Sequence, residues 1–480
     1  MADPVDRDQT EGTPRVPRGW VRHPPERMLI TPLIAGLGGL IAFFTVVAIV
    51  VWLPIHTFDP PPSDDWAPLS STAVKGRNLF ASNGCYVCHS GYSRPQDVRY
   101  ANYFLYPKVS QPGDFWGSDQ SPNLLGTERT GPDLSQESGW HPDDWQRMHF
   151  YDARFADPLS VMPSMKSLFS DSQVENLITY VQTRSGKSGL LRYAGQLYAK
   201  HLVLVVQALP EPYTGFQGAH KPIVEEQPAP EGAPSAVPEG QLEEAPNLAQ
   251  IDRSYWLAGN PLPVTEANLL RGKEIYLDRC VGCHGEKGDG KGPAARFLSP
   301  PPLPFDDADD QCCGADTGPG DFYFRVLRGW PGTAMENFGD RLSVNDIWRV
   351  VLFLKTIPNG TLDPNVVPEP KDYIVWQPSE ELLAWLEQSQ NLQDNASFSK
   401  AEVTDPFMQE AMRVFPGLAP GDRVIVDGLD TPLDLEDAAD GIRTIYEKLL
   451  DQAWSEARAR GEKLPPLSQK DIPPTVPGQQ

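Results

Sequence analysis

The chain has 480 residues, among them 50 prolines and 40 glycines, which argues against one large core and for two or three modest compact units with long connections. Its formal net charge of -23 argues against nucleic acid as a partner and gives a soluble face suited to a cationic protein. Of its six cysteines, four fall into two Cys-x-x-Cys-His strings, so a disulfide framework is excluded from the outset.

Residues 1–30 form a short leading segment containing Arg15, Arg18, Arg22 and Arg27. The stretch 31–54 follows, uncharged from Leu33 to Leu53, and at about 1.5 Å per residue it matches a hydrocarbon core of roughly 30 Å. Its length, and the Pro54-Ile55-His56 that follows in place of a small-residue cleavage site, favour a retained transmembrane anchor over a signal peptide. Because the next basic residue is Lys75, the positive-inside rule predicts a cytoplasmic N-terminus and places the rest outside the cell (inner) membrane, on the periplasmic or extracytoplasmic side.

Beyond the anchor, Phe58 to Pro68 reads as an extended tether. A first domain over 70–186 opens with helical periodicity around Val74 to Asn83 and closes with Ser172 to Gln182, where Val174, Leu177, Ile178 and Val181 recur at helical spacing. Residues 187–261 combine a helical stretch at His201 to Leu209, too short to span a membrane and read as partner-docking, with a Pro/Glu-rich linker at Lys221 to Pro246. That linker predicts domains free to move independently. A second domain over 262–360 repeats the plan, with helices at Glu266 to Leu277 and Val344 to Lys355. The extension 361–480 predicts helices at Ser379 to Gln388 and Leu435 to Glu462 around a strand-like Arg423-Val424-Ile425-Val426, an α-rich docking appendage or partly disordered tail. The chain as a whole is predicted to be mainly α.

Cys85-Tyr86-Val87-Cys88-His89 and Cys280-Val281-Gly282-Cys283-His284 are haem c attachment strings. In such a string the two thiols bond the porphyrin vinyl groups and the adjacent histidine coordinates iron. A zinc site would need further ligands of the same kind nearby, and a redox dithiol does not call for the histidine. Two covalently bound haem c groups are therefore expected. Electron transfer needs a second axial ligand, and each domain offers a methionine in the loop before its last helix: Met162, with Met165 as a fallback, and Met335. Thr130-Gly131-Pro132-Asp133-Leu134 and the Pro300 to Pro302 run lie between each histidine and its methionine, where a carbonyl could orient the histidine ring. His141 and His149 are read as surface or helix residues rather than ligands. Cys312 and Cys313 are adjacent, about 3.8 Å apart across a trans peptide against the usual ~4.4 Å lower bound for a bridge, which leaves two free thiols or an intermolecular link.

Gly84-Cys85-Tyr86-Val87-Cys88-His89-Ser90, Arg94-Pro95, Trp116-Gly117-Ser118, Arg129-Thr130-Gly131-Pro132-Asp133-Leu134 and Met162-Pro163 together resemble the membrane-anchored monohaem cytochrome c subunit of cbb3-type oxidases, over roughly residues 30 to 186. The resemblance implies thioether bonds at Cys85 and Cys88, axial ligation by His89 and Met162, and docking beside a haem-copper catalytic membrane subunit. Family members stop after one haem, whereas residues 262–360 add a second domain resembling a class I cytochrome c, of the sort found in the dihaem partner subunit of those oxidases. The stretch between Arg94 and Trp116 departs from the family pattern, and the tail beyond about 365 has no counterpart. The function implied is an electron relay from a soluble or membrane cytochrome c-like donor, with no catalytic site on this chain. Other readings are the electron-input subunit of a nitric oxide reductase-type complex, a dihaem peroxidase, and an anchored shuttle without a complex.

Overall fold

A computed structural model describes residues 25–53, 57, 60–94, 109–115, 124, 126, 129–206, 255, 257–305, 317–339, 341–363, 365–378, 383, 403–418 and 433–465. The Pro/Glu-rich linker, the helix read at Ser379 to Gln388 apart from Leu383, the strand-like 423–426 and the Cys312-Cys313 pair lie outside them. The chain divides at Pro60 into two compact units. In the first, helix α1 (Pro25–Val46) continues through a π-helical stretch at Val47–Trp52. Pro32–Trp52 is long and apolar enough to cross a membrane, and it is the only such helix among the described residues.

The second unit is helical and shows no β-strand among the described residues. Its helices are α2 (Ser71–Ser82), α3 (Asp143–Tyr151), α4 (Asp171–Gln182), α5 (Gly186–Val206), α6 (Glu266–Arg279), α7 (Pro319–Arg328), α8 (Val344–Leu354), α9 (Pro406–Val414) and α10 (Leu435–Ala459). Side-chain caps fix where they start. Ser70 accepts from Ala73 N, Ser170 and Gln173 form a capping box, and Thr265, Ser343 and Asp434 cap α6, α8 and α10.

The two halves of this unit repeat one crossing. Helix α2 packs on α4, and α6 packs on α8. A glycine sits at each crossing point: a β-carbon on Gly76 would fall 1.8 Å from the Asn176 carbonyl oxygen, and one on Gly272 would fall 2.1 Å from that of Arg349. One turn further along, an aromatic pair seals each crossing, Phe80 with Tyr180 at 5.4 Å and Tyr276 with Phe353 at 5.8 Å. Glycine is needed here because the backbones touch.

Three expectations are corrected. The two halves are joined directly, without waiting on the linker. The Gly332 amide donates to Gln196 Oε1 (2.6 Å), the Ser299 amide to Asp144 Oδ2 (2.8 Å), and Arg279 pairs with Asp157 (3.2 Å). An apolar cluster of Trp145, Met148, Ala156, Ala294, Leu298 and Ala334 fills the joint. Second, α5 is longer than read from His201 to Leu209, and its apolar face is covered by α9 and α10 of this same chain, with Leu191, Phe407, Ile442 and Trp454 in one core. The extension is thus folded back: Glu456 accepts from the Ser71 amide and Arg460 reaches Leu69, both at the start of the first half. Arg192 and Arg413 both lie against the Trp140 ring, at 5.4 and 5.8 Å, and Arg413 forks onto buried Glu410. Third, the tether is packed on the first half: the Ser63 amide donates to Asp114 Oδ1 (2.9 Å), and the carboxylate and carbonyl of Asp65 accept from the Ser188 and Lys187 amides at the start of α5.

Candidate haem centres

Each attachment string forms a single helical turn directly after the first helix of its half, Cys85–Cys88 after α2 and Val281–His284 after α6. One turn brings both thiols of a string to one side, which is what two bonds to one porphyrin edge require. The turn at Cys85 is entered through Gly84, whose φ of 69° suits glycine.

At the first centre, the backbone wraps the histidine closely. His89 Nδ1 lies 2.9 Å from the Pro132 carbonyl, and a carbonyl can only accept, so Nδ1 carries the proton and Nε2 keeps its lone pair. Gly131 lies flush on the ring: an added β-carbon would sit 2.4 Å from Cε1. The Thr130 to Leu134 segment therefore does what its position between histidine and methionine led us to expect. Asp133 anchors it, bonding Ser90 and Ser135 and pairing with Arg129 at 3.1 Å. Arg129 in turn donates to the Tyr92 carbonyl (2.6 Å).

At the second centre, the ring of His284 stacks on Phe305 (4.7 Å) and its Nδ1 is buried without a well-formed hydrogen bond. No carbonyl of the Pro300 to Pro302 run bonds it, and the backbone of Leu303, just beyond that run, opposes the effect of burial without a formed hydrogen bond. Burial pulls the imidazole pKa down to about 4, which keeps the ring neutral and able to donate its lone pair to a metal. Burial likewise pushes the thiols of Cys280 and Cys283 up to about 12, and that of Cys85 upward. Two such sulfurs beside a neutral imidazole suit thioether attachment of haem c.

The methionines are placed as follows. Met335 packs on the same apolar cluster as Cys280 and Val281, and its amide is held by Thr333 Oγ1 (3.2 Å). Met162 is half-buried in a loop tied to the end of α3, where the Met165 amide donates to the Phe150 carbonyl (3.0 Å) and Ser164 Oγ to that of Tyr151 (2.6 Å). Phe150 packs against the cluster that includes Cys85. His141 and His149, set aside as ligands, are drawn into a stack on Trp145, with ring separations of 3.8 and 4.5 Å. Residue spacing alone carried a hint of this, since 141, 145 and 149 share a helical face. Trp145 and Glu336 escaped sequence reasoning because nothing in the linear order pairs them.

Two domains built on one helix crossing, each with a haem attachment turn, define a c-type cytochrome on a helical membrane anchor. Residues 26–202 match the family model described as Cytochrome C oxidase, mono-heme subunit/FixO, and residues 267–354 match that of Cytochrome C oxidase, cbb3-type, subunit III. The chain therefore joins a segment matching the FixO family to a second segment matching a cbb3-type cytochrome c domain, and the two matches support a cytochrome c electron-transfer subunit of a cbb3-type oxidase and imply covalently bound haem c. No curated protein matches the chain. Among solved structures, the Kuenenia stuttgartiensis reducing HAO-like protein complex is 16% identical, covering 62% of this chain and 99% of its own, at a TM-score of 0.19, too low to carry an argument.

Proposed function

We propose that the chain holds two haem c groups and relays electrons from a cytochrome c-like donor, through the second domain (262–360) and then the first (70–186), to the haem-copper catalytic subunit of a cbb3-type oxidase. Haem c, when bound, supplies a one-electron iron couple. Cys85 and Cys88 attach one group and Cys280 and Cys283 the other. His89 and Met162 would hold the first iron, and His284 and Met335 the second, which would leave no position for a substrate.

The single observation that carries this reading is the joining of the two family matches in one chain, each spanning an attachment turn. The direction follows from chain order, because the first domain is tied more closely to the anchor. With Arg15, Arg18, Arg22 and Arg27 ahead of the span, the N-terminus is cytoplasmic and both haem domains face the extracytoplasmic side. Copurification of the native complex, with identification of its largest subunit and its metals, tests the partner. A pyridine haemochrome assay tests the count: two haems per chain support the proposal, and fewer refute it.

A further inference from the structure

Helix α3 touches both candidate centres. At its C-terminal end, Phe150 packs in the cluster with Cys85, and the Phe150 carbonyl holds the loop of Met162 and Met165. In its middle, Trp145 packs in the cluster that includes Cys283 and Ala334, and its indole N-H donates to Glu336 Oε1 at 2.7 Å. Glu336 follows Met335 directly and is fixed by Arg341 (2.6 Å). Between these two contacts lies the His149 ring, nearly parallel to the indole at 13° and 4.5 Å. The attachment turn of the second centre also presses on the segment that follows α3: a β-carbon on Gly282 would fall 2.0 Å from the Phe155 carbonyl oxygen.

We propose that Trp145, stacked on His149, is the bridge through which electrons pass between the two haem centres within one fixed body, with no swing of one domain against the other. The proposal rests on the two-haem reading above. Electron tunnelling decays more slowly through bonded and closely packed atoms than through gaps, and the Glu336–Trp145–His149 run is a packed path that reaches from one centre's surroundings toward the other's. One electron leaves the iron held by His284 and one arrives at the iron held by His89. Trp145 is neither oxidised nor reduced, and no proton crosses the joint.

The test uses the full chain carrying its haems, photoreduced by a short flash, with haem-to-haem equilibration followed optically. In Trp145→Leu the equilibration rate should fall several-fold or more, while haem content and both midpoint potentials stay unchanged. Trp145→Phe keeps a ring on His149 but loses the N-H to Glu336, and should give an intermediate rate. Gln196→Ala loosens the same joint without touching the stack and should leave the rate unchanged. Trp145 variants as fast as the original chain, or a Gln196→Ala chain as slow as Trp145→Leu, would overturn the proposal. A strong dependence of the original rate on solvent viscosity would do so too, because it would reveal a swing. A chain with fewer than two haems would instead defeat the reading beneath it, and the haemochrome count separates the two failures.

Discussion

Adding one methyl group at Gly272 should separate helices that the fold requires to touch. In an exposed helix interior Gly→Ala is favourable by about 1 kcal/mol, so propensity alone predicts a more stable protein. Packing opposes this, because the new carbon would sit 2.1 Å from the Arg349 carbonyl oxygen, against a comfortable carbon–oxygen approach of about 3.3 Å. The obstacle is backbone, with no rotamer to turn aside, so α6 and α8 must part. Overpacking costs typically about 1–3 kcal/mol, and the upper end applies where nothing can rotate away. Net of propensity, the loss should be about 2 kcal/mol, a fall in Tm of roughly 8–16 °C for a cooperative unit of about 100 residues. Thermal unfolding of the haem-loaded chain, read in the helical circular dichroism band, measures it. Gly259→Ala, where an added carbon meets nothing within 4 Å, is the control. A Gly272→Ala chain as stable as that control would refute the close crossing. Gly76→Ala should behave alike, since its added carbon would meet Asn176 closer still, at 1.8 Å.

Other perturbations act on single contacts. Met335→Ala and Met162→Ala should each abolish the low-spin, methionine-type spectrum of one haem and spare the other; a retained signal in either variant rejects that ligand. Glu410→Ala strips half-buried Arg413 of two hydrogen bonds, at a cost of about 3 kcal/mol, the lower end of the range because Arg413 is partly exposed, and limited proteolysis should then remove the C-terminal extension. His141 and Glu137 form a close pair at 2.5 Å. Burial works against charge on both, yet the mutual attraction and hydrogen bond prevail, raising the histidine pKa and lowering that of the carboxyl. The histidine share of stability is present below its ordinary pKa of about 6.5 and is lost as pH rises through the raised value. The carboxyl share is present above about 4.5 and is lost as pH falls through the lowered value. His141→Gln should therefore lower Tm more at pH 6 than at pH 9, and an equal loss at both would contradict the ion pair.

Local signals made the helices and the attachment turns legible. Ser70, Thr265 and Ser343 are cap residues at the head of periodic runs, and α2, α4, α6 and α8 lie within a few residues of where the pattern put them. Cys-x-x-Cys-His is local by nature. What escaped was long-range. A linker rich in proline and glutamate says that the chain between two domains has no core of its own, and nothing about whether the domains find each other. Their joint depends on Asp144, Trp145 and Gln196 meeting Ser299, Glu336 and Gly332, and no periodicity connects such residues. For the same reason α10 was legible as a helix, but the surface that it covers was not.

Asp144 is where the long-range order can be probed most directly. Its carboxylate is 4% exposed and accepts from the Ser299 amide across the joint, from Lys200 on α5, each at 2.8 Å, and from the Trp145 amide at 3.0 Å. Each contact belongs to a different part of the fold: the second domain, the helix covered by the C-terminal extension, and the backbone of the residue whose indole reaches Glu336. Removal of one partner from a buried ion pair costs about 3–5 kcal/mol, and because Lys200 is one-fifth exposed the lower end applies here. That loss is a large share of what holds two small domains together, so Asp144→Ala should open the joint while each helix crossing stays intact. Hydrogen exchange should then speed up at the Gly332 and Ser299 amides and stay slow within α6 and α8. Exchange that rose uniformly would mean that Asp144 supports the first domain alone, and unchanged exchange at Gly332 would mean that the apolar cluster around Trp145 holds the domains without it.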